Sequence, residues 1–161
     1  LKIRAGRPEE AAIIHAINES EVPHVGRENE AALASLIAKA FAFRVAETAD
    51  GHIVGFLLAL DQDADYKSLN FKWFQERYPR FMYIDRIAIL KEHQKSGLGR
   101  ALYEDIERLA SGYPLLTLEV NVDPPNPSSM AFHERMGYRE VGRARNADDG
   151  KLVSYQIRHL G

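Results

Sequence analysis

Between Gln94 and Arg100 the chain reads Gln94-Lys95-Ser96-Gly97-Leu98-Gly99-Arg100, with an alternating apolar run before it and an amphipathic run after it. A strand that turns through glycines into a helix leaves the first N–H groups of that helix without internal acceptors. Those donors, the positive end of the helix dipole, Lys95 and Arg100 together make a site for a phosphate or pyrophosphate. Gly97 and Gly99 let such a ligand approach the backbone closely. The segment is not a Walker loop, because no Gly-Lys-Ser/Thr follows, and the third glycine of a dinucleotide fingerprint would fall at Leu102.

The elements that must hold this loop can be read from the periodicity. Phe81 to Leu90 alternates as a strand, Lys91 to Ser96 is a polar loop, and Gly97 to Ala110 is a helix packing through Leu102, Ile106 and Leu109. Upstream, Ile3 lies in a short strand. Pro8 opens a helix buried through Ile13, Ile14 and Ile17, and Glu28 to Lys39 forms a second helix on Leu33, Leu36 and Ile37. Phe41 to Leu60 reads as a hairpin of two strands around Asp50-Gly51. Downstream, Leu115 to Val122 is a strand, Ser129 to Met136 a short helix closed by Gly137, and Tyr138 to Arg143 and Leu152 to Arg158 a terminal strand pair. Residues 61–80 stand apart: Asp61, Asp63 and Asp65 precede Tyr66, Phe71, Trp73, Phe74 and Tyr78, which points to a helix-containing insertion. The expected architecture is one mixed α/β domain over residues 1–161.

Composition removes several classes of function. With 161 residues, 45% apolar and 27% charged, the chain has enough material for one core. The longest apolar stretch, Ile53 to Leu60, is far short of the roughly 20 residues that span a bilayer. A net charge of −2 argues against nucleic-acid or anionic-membrane binding. The absence of cysteine removes disulfides and thiol nucleophiles, and a cytoplasmic setting is expected. Leu1-Lys2-Ile3-Arg4 carries no pattern of a targeting segment. No metal is expected, since His15, His24, His52, His93 and His159 lack ligand spacing.

Gln94-x-x-Gly97-x-Gly99 between a strand ending Ile87-x-Ile89 and an amphipathic helix resembles the acetyl-CoA motif of the GNAT superfamily of N-acetyltransferases. The resemblance covers essentially the whole chain. The family's Asn-x-x-Ser/Ala matches Asn126-Pro127-Ser128-Ser129, and its closing Gly-Phe/Tyr matches Gly137-Tyr138. It implies a mostly antiparallel sheet of six to seven strands, splayed in the middle and flanked by four to five helices. It further implies acetyl-CoA as acetyl donor, its pantetheine arm along Ile87, Ala88 and Ile89, opposite Leu118 to Val120. The pyrophosphate would lie on Gln94, Lys95, Ser96, Gly97, Leu98, Gly99 and Arg100, with Asn126, Ser129 and His133 contributing from the last helix. The implied acceptor is a primary amine of a small molecule or peptide, and a homodimer through the terminal strands is left open.

Acetyl transfer to an amine needs a base, donors at the developing oxyanion and a proton for the thiolate. The resemblance implies Glu119 and Asp85 as carboxylate candidates; the alternatives are an exposed strand glutamate and an ion pair of Asp85 with Arg86. The family's general-acid tyrosine falls at His133, four residues before Gly137. Histidine has an ordinary pKa of about 6.5 against about 10 for tyrosine, so an imidazolium acid would make the rate fall with rising pH. Tyr138 or a water is the alternative proton source, while Tyr83, Tyr103 and Tyr155 are expected to pack in the interior. The acidic and aromatic residues of 61–80 would suit a cationic amine, or would cover the sheet with one helix face. Two further readings stand beside the enzyme: an acyl-CoA-binding sensor without catalysis, and an adaptor that binds protein through residues 61–80.

Overall fold

The computed structural model describes residues 1–161. Its frame is one seven-stranded sheet in the order β1-β2-β3-β4-β5-β7-β6. The strands are β1 (Lys2–Ala5), β2 (Ala42–Glu47), β3 (Ile53–Asp61), β4 (Met82–Ile89), β5 (Leu115–Asp123), β6 (Arg139–Arg145) and β7 (Leu152–His159). Five helices cover it: α1 (Ala11–Ser20), α2 (Glu30–Lys39), α3 (Leu69–Gln75), α4 (Leu98–Leu109) and α5 (Pro127–Arg135). No helix is long and apolar enough to cross a membrane.

Side-chain alternation along the strands gives the sheet two apolar faces. On the first, Phe56, Leu58 and Leu60 of β3 pack against Ile14 and Ile17 of α1, Leu33 and Leu36 of α2, and Phe71 and Phe74 of α3. On the second, Leu57 and Ala59 meet Leu102, Tyr103 and Ile106 of α4. Two positions assigned to helix cores belong to solvent instead: Ile13 is 48% exposed and Leu109 41%. Both lie one step outside the stripe that their helices press onto the sheet, where an apolar residue costs little.

All neighbouring strands run antiparallel except β4 and β5, which are parallel and pair only at Met82↔Leu116 and Tyr83↔Thr117. Beyond Tyr83 the two strands diverge, as the expected splay requires. A second irregularity lies in β4 itself. Leu58 pairs with Arg86 and Ala59 with Ile84, so Asp85 is an extra residue opposite β3. Such a bulge re-aims side chains. Met82, Ile84, Ile87 and Ile89 all face the second core, so the bulge leaves both Asp85 and Arg86 on the first face.

Helix α3 lies within residues 61–80 and is capped by the Ser68 hydroxyl, which accepts from the Phe71 N–H at 3.3 Å. Phe71 and Phe74 are fully buried. Trp73 lies parallel to Tyr155 of β7, ring centroids 4.2 Å apart, with the Arg77 guanidinium 3.9 Å from its other face. Gly142 of β6 gives the indole its seat: a Cβ there would stand 2.5 Å from the Trp73 ring. Gly142→Ala is expected to lower unfolding free energy by about 1–3 kcal/mol through this overpacking, measurable in a urea titration; an unchanged midpoint would show that Trp73 does not need this seat.

Candidate active site

The divergence of β4 and β5 opens a cleft of about 1340 Å³ that passes between the two faces of the sheet. Hydrogen-bond alternation along β4 explains its chemistry. The Leu90 N–H donates to Val54 O at 2.9 Å, so Leu90, Ala88 and Arg86 are the residues that exchange hydrogen bonds with β3. Ile87 and Ile89 therefore turn their N–H and C=O groups the other way, toward the side that β5 has left. The Ile89 carbonyl accepts from Gln94 Nε2 at 2.8 Å. The Ile89 N–H and both groups of Ile87 face the cleft, where an extended ligand could pair with them as a strand would.

The glycine loop follows directly. Lys95 and Gly97 both take positive φ, 61° and 87°, and Gly97 starts α4 with no side-chain cap. The N–H groups of Leu98, Gly99 and Arg100 thus lack intrahelical acceptors and face outward at the positive end of a 12-residue helix. Lys95 and Arg100 stand exposed beside them. The Leu98 side chain is buried in the second core, leaving only its backbone for a ligand. The Ser96 hydroxyl turns back to donate to His93 O. Gln94 also reaches across to Glu21 Oε1 at 2.6 Å, tying this loop to the end of α1. These donors and cations fit a pyrophosphate, and the unpaired edge of β4 fits a pantetheine arm.

On the first face, two carboxylates stand at the cleft. Glu119 of β5 is not the exposed strand glutamate that sequence allowed. It lines the cleft and accepts from the Tyr83 hydroxyl at 2.6 Å. Burial pushes its pKa up to about 8, the Asp85 charge adds to the rise, and the hydrogen bond from Tyr83 with the Arg86 charge holds it back. Asp85 is a different case. It is held at 2.7 Å by Arg86 Nε and at 2.7 Å by the Tyr66 hydroxyl, and Arg86 is in turn anchored on Asn18 Oδ1 and Gly26 O. The ion pair with Arg86 considered from sequence is present.

His133 lies on the second face and is buried, at 6% exposure. Its Nδ1 is 2.7 Å from Ser129 O, a group that can only accept, so this nitrogen carries the hydrogen. The Tyr103 hydroxyl then donates to Nε2 at 2.7 Å. Burial lowers the imidazole pKa, only partly offset by the Ser129 carbonyl, so the ring is neutral at pH 7. Burial and the nearby Glu119 charge raise that of Tyr103. The Tyr138 hydroxyl, the alternative proton source, is buried without a partner and is absent from the cleft wall. Asn126 caps α5, its Oδ1 accepting from the Ser129 N–H at 3.3 Å, and both residues line the cleft beside His133.

Three residues expected only to pack are polar partners of the site: Tyr83 of Glu119, Tyr103 of His133, and Tyr155 of Asn70, through a hydroxyl donated at 2.8 Å. The acidic run is corrected as well. Asp61 accepts from the Tyr113 hydroxyl, and Asp61, Asp63 and Asp65 do not line the cleft, whereas Tyr66 and Asn70 do.

The profile of the Acetyltransferase (GNAT) family matches residues 11–138, most of the chain and all of the site elements up to Tyr138. The chain belongs to the GNAT acetyltransferase family. It is thus an acyltransferase with acetyl-CoA as its cofactor. Solved structures agree in fold. The ribosomal-protein-S18-alanine N-acetyltransferase of Escherichia coli superposes with a TM-score of 0.76 at 19% identity, over 99% of this chain and 94% of that one. Naa20 of Chaetomium thermophilum, in complex with a bisubstrate analogue, gives 0.77 at 21%, over 99% and 87%. yncA of Salmonella typhimurium, solved with its cofactor acetyl-CoA, gives 0.73 at 15%, over 99% and 94%.

The elevated Glu119 pKa has a consequence for stability that needs no substrate. An unfolded glutamate titrates near 4.3, whereas the folded one holds its proton up to about pH 8. Between those values the native state binds more protons than the unfolded state, so Glu119 erodes stability as pH rises through this window. Glu119→Gln is therefore expected to melt higher than the parent at pH 8.5 and to lose most of that advantage at pH 5. A melting difference independent of pH would contradict the shift.

Proposed function

We propose that this GNAT enzyme is an N-acetyltransferase that passes the acetyl group of acetyl-CoA to a primary amine of a small molecule or peptide N-terminus, by direct attack in a ternary complex. The observation that carries the reading is the opposition of two half-sites across the sheet. A carboxylate with elevated pKa, Glu119, faces the cleft from the first face; the glycine loop, Asn126 and the Tyr103–His133 pair serve it from the second. The two halves meet only where β4 leaves β5. The peptide-alanine specificity in the name of the Escherichia coli neighbour is in keeping with an amine acceptor.

In this reading Gln94 to Arg100 hold the pyrophosphate, and the edge of β4 at Ile87 to Ile89 holds the arm. Acetyl-CoA supplies the activated acetyl group. The acceptor arrives as an ammonium, and Glu119, as carboxylate, takes a proton from it so that nitrogen can form the new C–N bond. The Ile89 N–H polarises the carbonyl under attack. As the C–S bond breaks, the proton shared between Tyr103 Oη and His133 Nε2 passes to sulfur, the second proton shed by nitrogen restores the pair, and Glu119 gives the first to solvent. Asp85, already matched by Arg86, fixes the floor of the acceptor side. Lacking any cysteine, the chain offers no thiol to carry an acyl group.

Because His133 is neutral and Glu119 is half protonated near pH 8, kcat/KM rises with pH through about 8, the reverse of what an imidazolium acid would impose. The test is amine-dependent release of CoA thiol across amino acids, polyamines, aminoglycosides and short peptides at pH 6 to 9. Glu119→Gln is expected to lower kcat/KM by about 10²–10⁴-fold, and Tyr103→Phe or His133→Ala by about 10-fold or more. Tight acetyl-CoA binding without release by any amine would favour the sensor instead.

A further inference from the structure

Helix α1 turns Ala11, Ile14, Ile17 and Asn18 inward, and the last of these is a polar residue at 0% exposure. A buried amide costs free energy unless both its donor and its acceptor are matched, and a leucine would fill such a position without that cost. Both ends of Asn18 are matched, and neither by its own helix. Nδ2 donates to Gly26 O at 3.1 Å, and Oδ1 accepts from Arg86 Nη1 at 3.0 Å. The same Arg86 nitrogen donates to Gly26 O at 3.1 Å, closing a ring of three hydrogen bonds among α1, β4 and the α1–α2 loop.

The loop held by this ring is a wall of the cleft, which residues 21–28 line without interruption. At its start Glu21 accepts from Gln94 Nε2 at 2.6 Å, beside the glycine loop. Farther on, Val25 packs on the first core, and the Gly26 carbonyl takes an amide donor and a guanidinium donor together. Arg27 adds only a surface pair with Glu19, its side chain 72% exposed, and such pairs hold little. Arg86 is itself fixed by Asp85 at 2.7 Å, with 9% of its side chain exposed. The ring therefore registers the loop against the strand that carries Asp85, on the wall shared with Glu119.

We propose that Asn18 is a positioning residue for the acceptor: by locking Gly26 to Arg86 it holds the α1–α2 loop as a preformed wall on the first face, where the amine binds. The inference rests on the reading of that face as the acceptor side. A wall that must be ordered as the amine arrives costs affinity. The Gln94–Ile89 contact and the Tyr103–His133 pair draw none of their hydrogen bonds from Asn18. Loss of the Asn18 amide thus weakens capture of the amine and leaves the chemistry of the bound complex in place.

The experiment compares the parent with Asn18→Leu, which keeps the volume and removes both bonds, by amide hydrogen exchange and by steady-state kinetics with the amine that the parent uses best. Asn18→Ala, which removes the bonds without crowding Arg86, is the second variant should the leucine fail to show a cooperative melt. The amides of residues 22–28 are expected to exchange about 10-fold faster, while those of α1 and β4 keep the parent's rates. The KM of the amine rises about 10-fold, with kcat and the KM of acetyl-CoA within about twofold of the parent. Parent exchange rates at residues 22–28 in a folded variant overturn the proposal. So does faster exchange throughout α1 accompanied by a fall in kcat at unchanged amine KM, the mark of a structural role alone. A parent that releases no CoA thiol with any amine would instead remove the acetyl-transfer reading, and the exchange rates would still decide whether Asn18 holds this wall.

Discussion

Two residue pairs, Met82 with Leu116 and Tyr83 with Thr117, are all that join β4 to β5 in a sheet whose other neighbours pair over four or more. Everything at the site depends on that early parting. A sheet closed along its length would satisfy the N–H and C=O groups of Ile87 and Ile89 internally and would wall off one face from the other. With the strands apart, those groups face a cleft, and side chains that belong to separate apolar cores share one space. The parting is stable because each strand keeps a full partner on its far side, β3 for β4 and β7 for β5, and because α4 and α5 cover the second face.

Charge is distributed unequally between the two carboxylates. Asp85 has a guanidinium at 2.7 Å and a phenol at 2.7 Å, so its negative charge is matched where it sits. Glu119 has a hydroxyl donor in Tyr83, which orients a carboxylate but does not cancel its charge, and it lies within reach of the Asp85 charge. Burial then favours the proton. Two acidic residues 34 positions apart in sequence come to one wall, one matched by an adjacent guanidinium and the other facing a neutral hydroxyl donor.

Much of this was legible in sequence because the signals were local. The glycine loop declared itself through Gln94, Gly97 and Gly99 between a strand and a helix, and seven strands and five helices followed from period and turn chemistry. The splay between Ile87–Ile89 and Leu118–Val120 came from family resemblance, and the register bears it out. What could not be read was pairing at a distance. Nothing near Tyr103 says that its hydroxyl meets His133, 30 residues on, and Asn70 meets Tyr155 across 85 positions. Ile13 and Leu109 misled because a helical stripe is wider in sequence than on the sheet. The acidic run at Asp61, Asp63 and Asp65 misled because composition gives a segment's charge but not which way it turns.

In a regular strand neighbouring residues point to opposite faces, so an adjacent acid and base cannot meet. The extra residue in β4 lifts that restriction and lets Asp85 and Arg86 close an ion pair within a dipeptide. The charge balance of this part of the cleft wall is thus inherited with the strand as a single unit. The α1–α2 loop, the 61–80 segment and the β6–β7 turn can each diverge to suit another amine without having to supply that counter-charge, while loss of one residue from the strand at this point would remove it in a single step.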